Sequence, residues 1–406
     1  ELSAAGLHAE VLLGKTPRFR ITAQSFGVKG TDIPPFQASL ETVFSLQNNS
    51  LDISKFRIIS GSSEAQTKGL IDLKAVQGTL KTELLLAFDS FKETFHLKSP
   101  TDGRIRADGK IIIQQGGSLL SRIMTDLTVK GEFYLQALME VLKVDEKLLG
   151  WVRVDGKISG PLSDIRGVGS AELSSGNLFD VEIDHLKCAV DYAQGKMHFR
   201  DAEAELYNGT AVASAMIVLP VVNTFQLSVK AEGIDSSGVF KLIKWDPGLA
   251  PGKVSGELTT AGPAFAPDGS FLYRNDKEGK DFLHKVRSVN GEFSMRGSVI
   301  TFANMQVTSK LSDLFASGMV DLDKNQIDFR GKGSTKDFLD FFSPYFTSLS
   351  GPAAYQITLS GKLDDPTLAA QFVGTQDTFI TSGPEIPDFM QRTTVQVERF
   401  DGSVQY

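Results

Sequence analysis

The chain has 406 residues, 41% of them hydrophobic and 22% charged, with a net charge of −7. That length exceeds one ordinary core and predicts two or three domains, while the negative balance argues against nucleic acid, whose binding depends on clustered Lys and Arg. A lone cysteine, Cys188, excludes an intrachain disulfide framework and a thiolate metal cage.

No stretch approaches the roughly 20 apolar residues that span a bilayer, and no signal peptide opens the sequence. A chain that begins at Glu1 and stops at Tyr406 in mid-pattern reads as a piece of a longer polypeptide. Its 28 phenylalanines, against two tryptophans and seven tyrosines, mean much plain apolar surface to be placed.

Residues 1–126 read as strands and turns. Phe19 to Phe26, Leu40 to Leu46 and Leu80 to Phe88 alternate with period 2. Asn48-Asn49-Ser50, Gly61-Ser62-Ser63, Asp102-Gly103 and Gly116-Gly117 punctuate them as turns. No amphipathic helix of convincing length is predicted here.

From Leu127 a repeat becomes legible. Leu127-Thr128-Val129-Lys130-Gly131 has counterparts in Phe225 to Ala231 and in Ile327 to Gly331, with Val129, Val229 and Phe329 spaced 100 apart. After each of these strands the period switches to about 3.6. Leu135, Leu138, Met139 and Leu142 form one stripe, Val239, Leu242 and Ile243 a second, Phe338, Phe341 and Phe342 a third. Asp235 or Ser236 is expected to cap the second helix, and Ser334-Thr335-Lys336-Asp337 resembles a capping box for the third.

A strand of the form Φ-Ser-Gly-x-Leu follows each helix: Ile158 to Leu162, Val254 to Leu258 and Leu359 to Leu363. Two more phrases recur. Phe199-x-x-Ala202-x-Ala204, Phe302-x-x-Met305-x-Val307 and Ile53-x-x-Phe56-x-Ile58 each carry one residue too many for strict alternation, the mark of a β-bulge. Ser214 to Leu219 matches Ser317 to Leu322 and Lys68 to Leu73, the early copy lying farther off because the first unit is longer or carries an insertion around residues 90–125. The pattern restarts at Val395 to Val404.

The expected organisation is a divergent N-terminal segment over 1–126, repeats over 127–226 and 227–326, and an incomplete repeat over 327–406. Repeats that cannot each close a core stack on their neighbours. The expected fold is mostly β: an elongated, repetitive antiparallel sheet curled into a groove, with one short amphipathic helix per repeat. Alternation puts Leu127, Val129, Phe225, Leu227, Val229, Ile327 and Phe329 on one face, and Thr128, Lys130, Gln226, Lys230, Asp328 and Arg330 on the other. One short helix per ~100 residues is too little to roof such a sheet.

Two elements resemble the AsmA-like family. One is the strand-glycine-turn phrase at Ile158 to Ile165 and Leu359 to Pro366. The other is Ser317 to Leu322, followed by Ile327-Asp328-Phe329 and its helix. The resemblance covers most of 127–406 and, more weakly, 1–126. The middle copy departs from it, with Thr259-Thr260-Ala261-Gly262-Pro263 in place of the Asp-Pro turn, which leaves TamB-like, YhdP-like and other subfamilies open.

The resemblance implies a periplasmic protein of the Gram-negative envelope, held in the inner membrane by an N-terminal anchor outside this sequence. It implies a β-groove carrying phospholipid acyl chains towards the outer membrane, with an outer-membrane protein as a partner. Lining residues on this reading are Leu127, Val129, Val154, Ile158, Phe199, Phe225, Leu227, Val229, Val254, Leu258, Phe302, Ile327, Phe329, Ile357 and Leu359. The alternative is an envelope assembly scaffold with a dry β core that docks protein partners.

Enzymatic chemistry is not expected. His8, His96, His185, His198 and His284 lack zinc or nucleophile spacing. His185 and Cys188 lie three apart and so face opposite sides of a strand. Gly167-Val168-Gly169 is read as a turn rather than a dinucleotide loop, Asp364-Asp365 as a turn before Pro366, and Asn208-Gly209 as a hairpin turn. No cofactor, metal or catalytic residue is predicted.

Overall fold

Period-2 alternation governs most of this chain, and antiparallel strands result. The computed structural model describes residues 2–13, 17–28, 36–142, 148–218, 224–243, 249–275, 285–337, 349–374, 379–380 and 400–405. Two compact units are present: Glu1–Glu205 with Ser214–Val222, and Leu206–Ala213 with Asn223–Tyr406. Each is described by itself.

Unit 1 begins with β1 (Leu2–Ala5), β2 (His8–Leu12), β3 (Arg18–Val28), β4 (Phe36–Gln47), β5 (Ser50–Ser60), β6 (Ser63–Asp72) and β7 (Gln77–Ala87). Two short turns of helix follow, Phe88–Phe91 and α1 (Lys92–Phe95). The unit continues with β8 (Arg104–Ile113), α2 (Leu119–Arg122), β9 (Ile123–Tyr134), α3 (Leu135–Leu142), β10 (Leu148–Pro161), β11 (Arg166–Leu178), β12 (Val181–Ile183), β13 (His185–Ala193) and β14 (Lys196–Leu206). β3 to β11 pair with their sequence neighbours, β11 then pairs β13, and β1 and β2 share β3. The strand β15 (Gly209–Val218) divides between the two units.

Unit 2 contains β16 (Phe225–Asp235), α4 (Ser236–Ile243), β17 (Lys253–Gly262), β18 (Asp268–Arg274), β19 (Ser288–Arg296), β20 (Val299–Thr308), β21 (Ser312–Asp321) and β22 (Gln326–Thr335). A two-residue strand β23 (Leu349–Ser350) precedes β24 (Ala353–Lys362) and β25 (Pro366–Gly374). β26 (Phe379–Ile380) pairs β23, and β27 (Phe400–Gln405) pairs β25. From β16 to β27 the main sheet is antiparallel at every strand pair among the described residues. Neither sheet closes into a barrel.

The expected bulges are in place. Registers shift between Phe302 and Met305 and between Ile53 and Phe56. In the β13–β14 pair the shift falls opposite Asp201. Asp201 and Asn304 take left-handed backbone angles, φ 49° and 50°, which short polar side chains tolerate best.

The helices also stand where the stripes place them, α3 between β9 and β10 and α4 between β16 and β17. The third stripe, Phe338 to Phe342, lies outside the described residues. At α4, Asp235 immediately precedes the helix and pairs with Lys253 at 2.7 Å, while Ser236 opens it buried, its hydroxyl accepting from Gly252 N at 3.0 Å. At the third site Thr335 Oγ1 accepts from Asp337 N at 3.1 Å, a local turn ahead of the undescribed stretch.

Two turn assignments also change. Gly167-Val168-Gly169 is not a turn but interior strand in β11, paired with Ile158, Lys157 and Gly156. The Asn-Gly hairpin shifts by one residue: Tyr207 (φ 46°) and Asn208 (φ 57°) are the left-handed pair, and Gly209 already belongs to β15.

Connections sort onto two rims. In unit 1, α3 and the Phe88–Gly103 segment occupy one rim. The other holds tight turns at Asn48-Asn49, Leu73–Val76 and Leu162–Ile165, together with the short α2 connection. Backbone bonds stitch these turns together: Leu73 N donates to Asn49 O at 2.7 Å and Leu162 N to Ile123 O at 2.9 Å.

Candidate functional site

Registry lines up the apolar positions of neighbouring strands into rows that cross each sheet. In unit 1 one row runs Ala23, Leu40, Ile58, Ala65, Leu84, Ala107, Val129, Gly156, Gly169, Val190, Phe199. In unit 2 another runs Val229, Leu258, Gly269, Phe293, Phe302, Gly318, Phe329, Leu359, Leu368, Val404. Directly opposed residues lie about 4.5–5.5 Å apart, so each row is an unbroken apolar band. Neither row carries a charged side chain.

The fifteen residues expected to share a face do so within their units. Val129 and Phe199 lie on the first row, and Leu127 and Ile158 face each other one step along. Val154 sits two residues from Gly156 on the same side. Val229, Leu258, Phe302, Phe329 and Leu359 all lie on the second row, with Phe225, Leu227, Val254, Ile327 and Ile357 at even offsets from it. Leu127, Ile327 and Phe329 are buried; the other twelve are half-buried.

The opposite face is laced with charge. Lys130 meets Asp155 at 3.0 Å, Lys157 meets Asp126 at 2.7 Å, and Arg296 meets Asp268 at 2.9 Å. His185 binds Glu172 at 3.0 Å on this face, while Cys188 is buried on the apolar one, so the two do not form a pair. Burial raises the Cys188 thiol above its ordinary pKa, which leaves it a poor nucleophile. Asp364 accepts from Asn325 at 3.0 Å as part of its turn. Among the described residues no group of His, Cys, Asp and Glu is arranged to hold a metal, and no helix is long and apolar enough to cross a membrane.

One feature escaped the sequence reading: what glycine does on the apolar face. A Cβ at Gly109 would collide with Asp126 O, and one at Gly269 with Glu257 O, so the neighbouring backbone crowds this side of the sheet. In unit 2 aromatic rings fill the glycine positions. A Cβ at Gly333 would sit 2.5 Å from Tyr355 Cζ, and one at Gly252 2.7 Å from Tyr273 Cε2. Tyr355 thus lies across β22, its hydroxyl donating to Asp313 O in β21 at 3.0 Å. Phe271, Phe302 and Phe329 continue in ring contact at 5.8 and 5.6 Å. Tyr355 and Tyr273 are only 4% and 3% exposed, packed with Val286, Val289, Leu314, Ala353 and Ala370, so this part of the unit 2 face is covered, whereas the row through Val229, Leu258 and Phe302 stays half-buried. The signal was present as strand glycines repeatedly registered against large side chains, but a single sequence does not reveal register.

No protein-family model, curated protein or solved structure matches the chain.

Proposed function

We propose that the apolar face of each unit forms a groove that holds the acyl chains of phospholipids, and that the chain is a non-enzymatic, AsmA-like segment of a cell-envelope lipid carrier. The carrying observation is the pairing of continuity with incomplete burial. A dry core would bury these side chains almost fully, yet twelve of the fifteen face residues keep partial contact with solvent. Persistently wet apolar area is costly, at about 25 cal/mol per Å², and contiguous patches of it usually mark an interaction surface. Acyl chains satisfy it at about 0.8 kcal/mol per methylene, without asking for a specific polar partner.

Crowding of the backbone on the glycine side supports a sheet that curls toward its apolar face. Placement in the periplasm, transfer between inner and outer membranes, and an anchor and outer-membrane partner beyond this sequence follow from the AsmA-like resemblance and belong to the same proposal.

The test is direct. Protein purified from bacterial membranes and extracted with organic solvent should release phospholipid in several copies per chain. Val229→Glu puts a charge on a half-buried position of the unit 2 row and should cut the bound lipid severalfold while the far-ultraviolet β signal is retained. A folded wild-type protein free of lipid would defeat the reading and favour the scaffold with a dry core.

A further inference from the structure

We propose that in unit 1 a membrane phospholipid lies with its chains along the strands, methyl ends toward α3 and headgroup beyond the rim of tight turns. This rests on the reading of the apolar face given above and adds a polarity to it.

The two rims of unit 1 are built differently. At the α3 rim the face is sealed: Phe88, Phe133, Ala137, Val152 and Leu173 form a fully buried cluster, with α3 packed on β9 and β10. Apolar contact is saturated there, leaving little room for a charged group. At the tight-turn rim only the four-residue α2 touches β9 and β10, covering Leu127, and on the other strands the apolar face runs out to the edge. Leu46 is 55% exposed, Leu73 47%, Leu120 55% and Leu162 37%, all at or beside the turns. The α3 rim has its own exposed apolar residues, Leu86 and Phe179, but they do not form a run from turn to turn.

Length agrees with this direction. On β8 the face runs from Ile105 to Ile113, eight residue steps, or about 27 Å at ~3.4 Å per residue. One leaflet of a ~30 Å hydrocarbon core is about 15 Å deep. A chain entering from the tight-turn rim is therefore housed before it meets the sealed cluster. With no charged side chain on the row, a phosphate has no partner on the face, and an unpaired charge there would be strongly unfavourable. The headgroup must stay in water, and the open rim provides that position.

The experiment uses the full chain with Cys188→Ala and one new cysteine, Leu73→Cys at the tight-turn rim or Met139→Cys on α3, each carrying a spin label. Phosphatidylcholine bearing a nitroxide on the headgroup, or at the methyl end of a chain, is loaded from vesicles and the label spectrum recorded. Headgroup nitroxide should broaden the label at 73 and leave the one at 139 unchanged; chain-end nitroxide should do the reverse. The opposite pattern, or equal broadening at both sites, overturns the orientation while leaving lipid binding intact. No broadening from either lipid, with no lipid recovered on extraction, removes the underlying reading as well.

Discussion

The sealed cluster of unit 1 and the ring-on-glycine cluster of unit 2 bury similar residues by different means. In the first, Phe88 and Phe133 stack with centroids 5.5 Å apart, and α3 lays Ala137, fully buried, against the same cluster. Large side chains project toward a second layer and fill it. In the second, buried Tyr355 lies down on Gly333, and Phe302 meets Phe271 edge-on and Phe329 at a tilt. The difference comes from the partner. A helix overhead rewards projection, whereas a glycine beside the ring leaves a shelf on which it rests. Aromatic content alone therefore does not say how a sheet face is covered; what lies opposite each ring does.

The comparison predicts unequal costs for equal truncations. Leu173→Ala, in the sealed cluster, should lose about 2–5 kcal/mol, the usual range for a buried leucine. Leu258→Ala, half-buried on the open row, should lose about half as much, because part of its surface already meets solvent. Denaturant midpoints of the two variants measure the gap, and equal shifts would mean that the open face is as well packed as the roofed one.

Gly318→Val sharpens the other side. A Cβ there would strike Asp328 O and the Phe329 ring, so the variant is expected to lose about 1–3 kcal/mol through overpacking. It should also lift the Phe329 ring off the sheet and lower lipid capture. A variant as stable as the parent would show that the shelf is not needed.

Much of this was legible beforehand because side-chain period and face are local properties. Phe302 to Val307 betrayed its bulge by one surplus residue, and Leu135, Leu138 and Met139 betrayed their helix by spacing. Lys130, and Leu127 and Ile158, fell on their proper faces for the same reason. Registry was not legible. Gly167 and Gly169 looked like a turn because glycine usually breaks strands. They are strand because Gly169 registers against Gly156, where the backbones approach too closely for a side chain. Nor could spacing show that the Phe88–Gly103 segment returns to Phe133, since that contact joins residues 45 apart through a β hairpin pairing.

The smallest expected effect concerns how the roof of unit 1 is tied down. Glu140 on α3 accepts from Lys98 N at 2.8 Å and from the Ser99 hydroxyl at 2.7 Å. Burial pushes its carboxyl upward, but the Ser99 hydroxyl and the Lys98 and Ser99 amides outweigh it and hold it below its ordinary value. Because the folded value is depressed, the tie is at full strength above the unfolded pKa and is lost as pH falls through the folded one. Hydrogen exchange at the Lys98 amide, corrected for its intrinsic acid dependence, should thus show protection at neutral pH that disappears only below the ordinary carboxylate range. Glu140→Gln keeps an acceptor without the charge and should give weaker protection with no such step. The buried Tyr355 cluster of unit 2 provides the control. If acid loosened Tyr355 and Lys98 together, the change would be global, and α3 would be no separately fastened roof.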